Sequence, residues 1–369
     1  MKTNIPYYAF SDVLTIVNGR NQRKVEDKKG LFPIYGSGGI MGWANDYICP
    51  ENTVVIGRKG SINNPIFVEK KFWNVDTAFG LVAKQTILLP KYLYYFCVNF
   101  NFESLNTTVT IPSLTKANLL KVQIPIPSIS KQEKIVLLLD KIGSLICIRK
   151  WHLDKLNQLA SSRFIEMFGD LEKEQPRWPV ANIGDLFDVG SSKRVFQKDW
   201  KNAGVPFYRA REIVKLEANG FVNNELFISE EMYGEYARLY GIPKAGDILV
   251  TGVGTLGVCY LVKHNDRFYY KDGNIICLHS RGKISSRFVC ECYKLPFIKK
   301  QIQINAGGST VGTYTIENAR KTRIIVPPYD LQKAFIAFIE QLDKSKVTIQ
   351  KSLDKLNLLY KALLQEYFG

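Results

Sequence analysis

The sequence has no apolar run that approaches the ~20 residues of a membrane span, and Met1–Asn4 is not followed by the apolar core of a signal peptide. It contains seven cysteines without regular spacing, and an odd number argues against a secreted disulfide scaffold. These absences predict a cytoplasmic protein with no membrane association.

Sequence signatures of catalysis are also missing. There is no dinucleotide fingerprint, no P-loop and no His-Glu-x-x-His motif. An adenine methyltransferase would need an Asn/Asp-Pro-Pro-aromatic motif, whereas Asn64-Pro65-Ile66-Phe67 lacks the second proline and is interpreted as a turn. Cys290-Glu291-Cys292, with Cys277 and His279 nearby, lacks the spacing of paired zinc ligands, so buried free thiols are expected. We therefore predict a chain with no catalytic residues, no metal site and no cofactor site.

What the sequence has in excess is positive charge. Lysine and arginine number 50 against 34 acidic residues, for a net charge of +16. The basic residues are spread along the chain rather than held in a tail, as expected for a folded surface that meets a polyanion. A basic soluble protein without such a partner is the alternative.

An internal repeat ends both halves of the sequence. At a constant offset of 200, residues 124–169 align without gaps with residues 324–369, and Pro127 and Gln132 fall on Pro327 and Gln332. Each copy has a proline-containing extended segment and then apolar residues spaced three and four apart, among them Ile146 and Leu353, which predicts a long helix. The predicted helices are Lys131–Phe168 and Leu331–Phe368, each ~55 Å long. Two separate core helices are possible, but the shared seam favours mutual packing as an antiparallel coiled coil.

The repeat extends into the preceding segments. Pro33-Ile34-Tyr35 matches Pro206-Phe207-Tyr208 at an offset of 173, which grows to 200 because of an insertion around Leu216–Tyr240. Short β-rich runs, as at residues 53–56, 66–68 and 248–251, alternate with glycine turns in both halves, and residues 91–98 show a helical pattern. The predicted fold class is α+β: two globular mixed α/β domains separated by two long helices, with a pseudo-two-fold internal repeat. The predicted boundaries are residues 1–127 and 171–327 for the domains, and 128–170 and 328–369 for the helices.

Two glycine-rich loops occur in each half, at residues 35–39, 57–61, 252–255 and 307–310. Glycine lets the backbone approach a ligand closely, and neighbouring basic and hydroxyl side chains suit phosphate oxygens and base edges. Tight β-turns explain any single loop equally well. The candidate DNA-contacting residues are Arg58, Lys59 and Ser61 in the first half, and Tyr208, Arg209, Arg211 and Thr255 in the second.

An ordered set of motifs along essentially the whole chain resembles the specificity subunit of type I restriction–modification systems. The motifs are Pro33–Ile40, Val55–Ser61, Asp76–Phe79, Ile111–Leu114, Ile124–Pro127, Ile242–Val250 and Thr251–Gly257. One departure lies at the helix starts, where the family's Glu-Gln is Lys131-Gln132 and Leu331-Gln332.

The resemblance implies a subunit without catalysis that reads a bipartite target in double-stranded DNA, one domain per half-site. It also implies two methyltransferase partners, which use S-adenosylmethionine, and restriction/translocase partners, which use ATP and Mg²⁺. Two other functions are weighed against it: a fused DNA methyltransferase or nuclease, and a coiled-coil adaptor that does not bind DNA.

Overall fold

The computed structural model describes residues 5–105, 113–172, 175–305 and 312–369. Parts of the motifs above lie outside the described residues, namely Ile111-Pro112 and the predicted loop Gly307–Thr310. The chain divides into two compact units, which we call the first unit (residues 1–153 and 348–369) and the second unit (residues 154–347).

Short strands and helices make up the first half, which ends in one long helix. They are β1 (Tyr7–Ala9), α1 (Phe10–Val13), β2 (Leu14–Asn18), β3 (Phe32–Gly36), β4 (Gly39–Ala44), β5 (Thr53–Gly57), β6 (Ile66–Val68), β7 (Trp73–Asn74), β8 (Ala78–Ala83), α2 (Pro90–Asn99), α3 (Lys116–Leu119), β9 (Gln123–Pro125) and α4 (Ile129–Phe168). The predicted helical segment at residues 91–98 and strands at residues 53–56 and 66–68 are confirmed.

The second half follows the same order with additions. Its elements are β10 (Val180–Asn182), α5 (Ile183–Leu186), β11 (Phe187–Gly190), β12 (Val205–Tyr208), α6 (Ala210–Asn219), β13 (Phe227–Ile228), α7 (Glu230–Tyr240), β14 (Ile248–Thr251), β15 (Cys259–Leu261), β16 (Tyr269–Tyr270), β17 (Ile275–Ser280), α8 (Ser286–Tyr293), α9 (Pro296–Asn305), α10 (Ile316–Lys321), β18 (Arg323–Ile325) and α11 (Tyr329–Phe368).

The two units have the same sheet topology. The antiparallel sheet β2-β8-β5-β6 corresponds to β11-β17-β14-β15, and the mixed sheet β4-β3-β7 corresponds to β13-β12-β16. A two-stranded pair closes each fold, β1 with β9 and β10 with β18. The predicted fold class and repeat are confirmed. The insertion is confirmed as well: between β12 and the strand equivalent to β5, the second unit adds α6 and α7.

The long helices pack antiparallel within each unit. In the first unit, Ile135 and Leu139 near the start of α4 share a core with Leu364 and Phe368 at the end of α11. Further along α4, the core residue contributed by α11 is Leu353, which lies earlier in that helix. The second unit repeats the arrangement, because the last turns of α4 share a core with the first turns of α11. The predicted coiled-coil pairing is therefore present in both units.

Both long helices have 40 residues and begin two residues earlier than predicted, at Ile129 and Tyr329. The first hydrogen bonds of each helix go to the carbonyl of the residue before it, Ser128 for α4 and Pro328 for α11. Each of these carbonyls accepts two backbone N–H groups. A proline suits this position because a helix N-cap needs the carbonyl and not the N–H.

A buried glutamine fixes the start of each long helix to its own unit. The Gln132 Oε1 accepts from the Leu89 N–H at 2.9 Å, and its Nε2 donates to the carbonyls of Ile87 and Pro127. In the second unit, the Gln332 Oε1 accepts from the Ser285 N–H at 3.0 Å, and Leu89 and Ser285 are the N-cap residues of α2 and α8. In each unit, the glutamine amide thus forms hydrogen bonds with the backbone before the long helix and with the backbone at the start of a shorter helix, α2 or α8.

Replacing Gln132 by leucine should lower the free energy of unfolding of the first unit by about 2–4 kcal/mol, because it leaves the part-buried Leu89 N–H and the carbonyls of Ile87 and Pro127 without this partner. Equilibrium denaturation followed by circular dichroism measures the change. Gln85, which is exposed in the same unit, provides the matched control, since Gln85→Leu should change stability by less than about 0.5 kcal/mol. Equal effects of the two substitutions would contradict the role given to Gln132.

Candidate nucleic-acid interface

In the first unit, the ends of three strands converge on the turn Asn74–Ala78. The backbone N–H groups of Arg20, after β2, and Arg58, after β5, each donate to a carbonyl of this turn at 2.8 Å. The Val75 N–H of the turn donates to the Tyr35 carbonyl in β3 at 3.0 Å. Both glycine-rich loops of this half thereby belong to one loop cluster, which we call the first loop cluster.

The loop Gly57–Ser61 has a defined backbone. Gly60 has φ +79°, a left-handed conformation that side chains rarely adopt. A Cβ on Gly57 would lie 2.4 Å from the Ser61 carbonyl oxygen, so no larger residue fits there. The Arg58 carbonyl accepts from the Leu114 N–H at 2.9 Å. The loop is therefore a fixed platform for its side chains.

The three predicted residues of this loop are exposed. Arg58, Lys59 and Ser61 all point their side chains away from the core, and the Arg58 guanidinium lies 5.8 Å from the centre of the Phe79 ring. Two adjacent cations and a hydroxyl on a rigid turn can contact phosphate oxygens, and arginine can also bond a guanine edge in bidentate fashion.

The second unit builds the same cluster from the same backbone bonds. The Gly252 N–H donates to the Asn274 carbonyl at 2.8 Å, and its own carbonyl accepts from the Tyr314 N–H at 2.9 Å, as Arg58 does with its partners. Gly254 has φ +69° and takes the place of Gly60. Thr255, which is exposed, therefore takes the place of Ser61. We call this group of loops the second loop cluster.

The structure places the predicted arginines of the second unit on a buried carboxylate. Arg209 donates to Glu212 from its backbone N–H and guanidinium at 3.0–3.1 Å, and Arg211 bridges Glu212 and Glu225. Burial alone would raise the pKa of Glu212, but the hydrogen bonds from both arginines bring it below its usual range. Any phosphate contact by these guanidinium groups has to share them with Glu212. Tyr208 is half-buried with its ring centre 4.9 Å from that of Phe268.

Sequence reasoning missed the cations that the second loop cluster does carry. Gly252 and Val253 stand where the first unit has Arg58 and Lys59, so this loop has no positive charge of its own. Lys271 lies in the turn equivalent to Asn74–Ala78, and its N–H donates to the Tyr208 carbonyl at 2.8 Å. Lys193 follows β11, with its N–H bonded to the Tyr269 hydroxyl at 3.0 Å. The repeat could have found Lys271, which directly precedes the matched Asp272.

The fold and site together define a duplicated binding protein, with one basic loop cluster in each of two α+β units. The sequence profile of the type I restriction modification DNA specificity domain matches residues 5–158 and 176–358. The chain belongs to this family. Among the described residues, no helix is both long and apolar enough to cross a membrane.

Two related proteins align with most of this chain. A Haemophilus influenzae protein described as a type I restriction enzyme specificity subunit is 25% identical over 368 residues, which span 95% of this chain and 91% of that protein. The MjaIX specificity subunit of Methanocaldococcus jannaschii is 25% identical over 361 residues, covering 86% of this chain and 77% of its own length.

Solved structures share the fold. The S subunit of a type I restriction–modification system from M. genitalium matches with a TM-score of 0.63 at 16% identity, covering 100% of this chain and 98% of that chain. A chain solved in work on the complex assembly and conformational transition of the type I system matches with a TM-score of 0.59 at 13% identity, covering 99% of both chains.

Proposed function

We propose that this chain is the specificity subunit of a type I restriction–modification complex, and that each unit reads one half of a bipartite DNA target. The observation that carries the proposal is the pair of loop clusters, built on equivalent backbone bonds in the two units. Family membership and the net charge of +16 support it.

The chain acts by recognition and contributes no catalytic group. Two methyltransferase subunits bound to it supply the S-adenosylmethionine chemistry on adenine, and restriction/translocase subunits supply the ATP- and Mg²⁺-dependent steps. The complex works in the cytoplasm on double-stranded DNA. A coiled-coil adaptor would share the helix packing but would not need two basic loop clusters.

Within each loop cluster, glycines let the backbone approach the DNA groove closely, and the neighbouring side chains contact the DNA. Arg58 and Lys59 neutralise phosphate or bond guanine in one half-site. Thr255, Lys271 and Lys193 act in the other, where the hydroxyl reads a base edge and the ammonium groups contact phosphates. Because the clusters differ in charge and side chains, the two half-sites differ in sequence.

Replacing both Arg58 and Lys59 by alanine should weaken DNA binding at least about tenfold and flatten its salt dependence. If both residues contact phosphates, the slope of log K against log salt should fall in magnitude by about 1.8. The measurement is fluorescence anisotropy of labelled duplex DNA, titrated at several salt concentrations with the full chain and its methyltransferase subunits.

Lys70 and Lys71 provide the matched control. They form an adjacent, exposed basic pair after β6, beside the start of β5 and therefore at the other end of that strand from Arg58. Their double alanine variant has the same net charge as the test variant but should keep the steep salt slope. Equal losses in both variants would assign binding to net charge alone, and no loss in either would remove the Gly57–Ser61 loop from the interface.

A further inference from the structure

The second unit brings a sulfur, a nitrogen and an oxygen ligand together at the edge of its large sheet. Cys277 and His279 lie two residues apart on β17 and so share a face, and Asp247 directly precedes β14, which pairs with β17. The His279 Nδ1 lies 2.9 Å from the Asp247 Oδ2 and 3.6 Å from the Cys277 Sγ. All three ligand atoms lie within 4.8 Å of one another.

We propose that Asp247, Cys277 and His279 form a binding site for one divalent ion of the zinc class. Thiolate, imidazole and carboxylate are the groups that Zn²⁺ takes from proteins, and three protein ligands with an open fourth position are a common arrangement. His279 has 42% of its side chain exposed, so the cluster lies next to solvent, while Asp247 and Cys277 are buried.

The carboxylate is held in place by backbone groups, as second-shell donors hold a metal ligand. The Asp247 Oδ1 accepts from the Ser280 N–H at 2.9 Å, and its Oδ2 accepts from the Lys244 N–H at 2.8 Å. Each oxygen keeps a lone pair beyond these bonds. The outer contacts that fix a ligand's orientation are therefore already present.

The fold itself does not require these three residues. The equivalent positions in the first unit, found from the matching registers of β5 with β8 and β14 with β17, are Thr53, Gly80 and Val82. None of these three positions carries an ionisable or sulfur-containing side chain, although Cys49 from another segment packs its sulfur against Gly80. The triad is therefore a property of the second unit alone. This inference does not depend on the proposed DNA-binding function.

Binding exchanges protons for metal bonds. The ion forms bonds to the Cys277 sulfur, the His279 Nδ1 and an Asp247 oxygen. The thiol proton passes to solvent, and coordination through Nδ1 places the single imidazole proton on Nε2. No oxidant or reductant is needed.

The test is a Co²⁺ titration of the reduced, chelator-treated full chain. We expect one equivalent to bind, with a thiolate-to-cobalt charge-transfer band that Zn²⁺ removes because it binds such sites more tightly than Co²⁺. Zn²⁺ at about 100 times its dissociation constant should raise the melting temperature of the second unit by about 5–10 °C.

Cys277→Ser should abolish the charge-transfer band, and the exposed-thiol control Cys147→Ser should keep it. His279→Val introduces the residue of the first unit at an accessible position, so it should fold and should weaken Co²⁺ binding at least about tenfold. The proposal is overturned if the unmodified chain gives no band, if the band persists in Cys277→Ser, or if His279→Val binds Co²⁺ as tightly as the parent.

Discussion

Truncating Phe168 to alanine should lower the free energy of unfolding of the second unit by about 3–5 kcal/mol, the usual cost of removing a buried phenylalanine. Phe168 ends α4 and is fully buried. Its ring centre lies 4.9 Å from that of Phe164, 5.3 Å from Phe288 in α8 and 5.6 Å from Phe335 in α11. One residue therefore links α4, α8 and α11 within the second unit, and alanine would leave a cavity among these rings.

The repeat predicts a matching effect on the other unit. Phe368 ends α11 and packs in the first unit, with its ring centre 5.0 Å from that of Tyr92 and 6.1 Å from that of Phe96. Phe368→Ala should destabilise the first unit, and Leu358→Ala should do little because Leu358 is 71% exposed on the same helix. Hydrogen exchange read by mass spectrometry assigns each loss of protection to a unit. Loss of protection in the first unit on truncating Phe168 would contradict the antiparallel pairing.

The long helices were predictable because a repeat at constant offset keeps the apolar residues of the coiled-coil seam at the same positions in both copies. Ile146 and Leu353 are core residues of the pair, and both belong to the apolar spacing read from the sequence. Strands with β-branched runs between glycine turns were also found, as at Ile248–Thr251. These features depend on local periodicity, which a sequence displays directly.

The site was only partly predictable, because tertiary contacts decide which basic side chains are exposed and which form ion pairs within the protein. The exposure of Arg58 and Lys59 follows from a glycine turn, whereas the ion pairs of Arg209 and Arg211 with Glu212 depend on the start of α6, a helix that the second unit adds. Asp247 meets His279 across 32 positions of sequence because of the β14–β17 register. Gln132 and Gln332 were visible as a repeated pair, but their amides bond backbone groups more than 40 residues away, which no local pattern indicates.

Exchanging the second globular domain for that of a relative with another target should change one half of the recognised DNA sequence completely and leave the other unchanged. The structure supplies the junctions, since Asn182 pairs with Arg323 across β10 and β18 and the two ends of the inserted segment therefore lie side by side. The donor must keep an aromatic residue at Phe288, because that ring packs against Phe164 and Phe168 of α4.

A reciprocal exchange tests the first unit in the same way. Tyr8 pairs with Ile124 across β1 and β9, which makes residues 9–123 the equivalent segment. The two chimeras should change opposite halves of the target. Thermal denaturation alongside the parent chain shows whether each chimera folds, so that a loss of recognition is separated from a loss of structure.

The most direct measurement of the central claim is the sequencing of methylated adenines in DNA from cells that carry each chimera with its methyltransferase and restriction subunits. We expect a bipartite motif in which only the half-site of the exchanged domain is new, while the other half-site and the length of the unread gap match the parent. A motif altered in both half-sites, or one unchanged by either exchange, would contradict the conclusion that each unit reads its own half of the target.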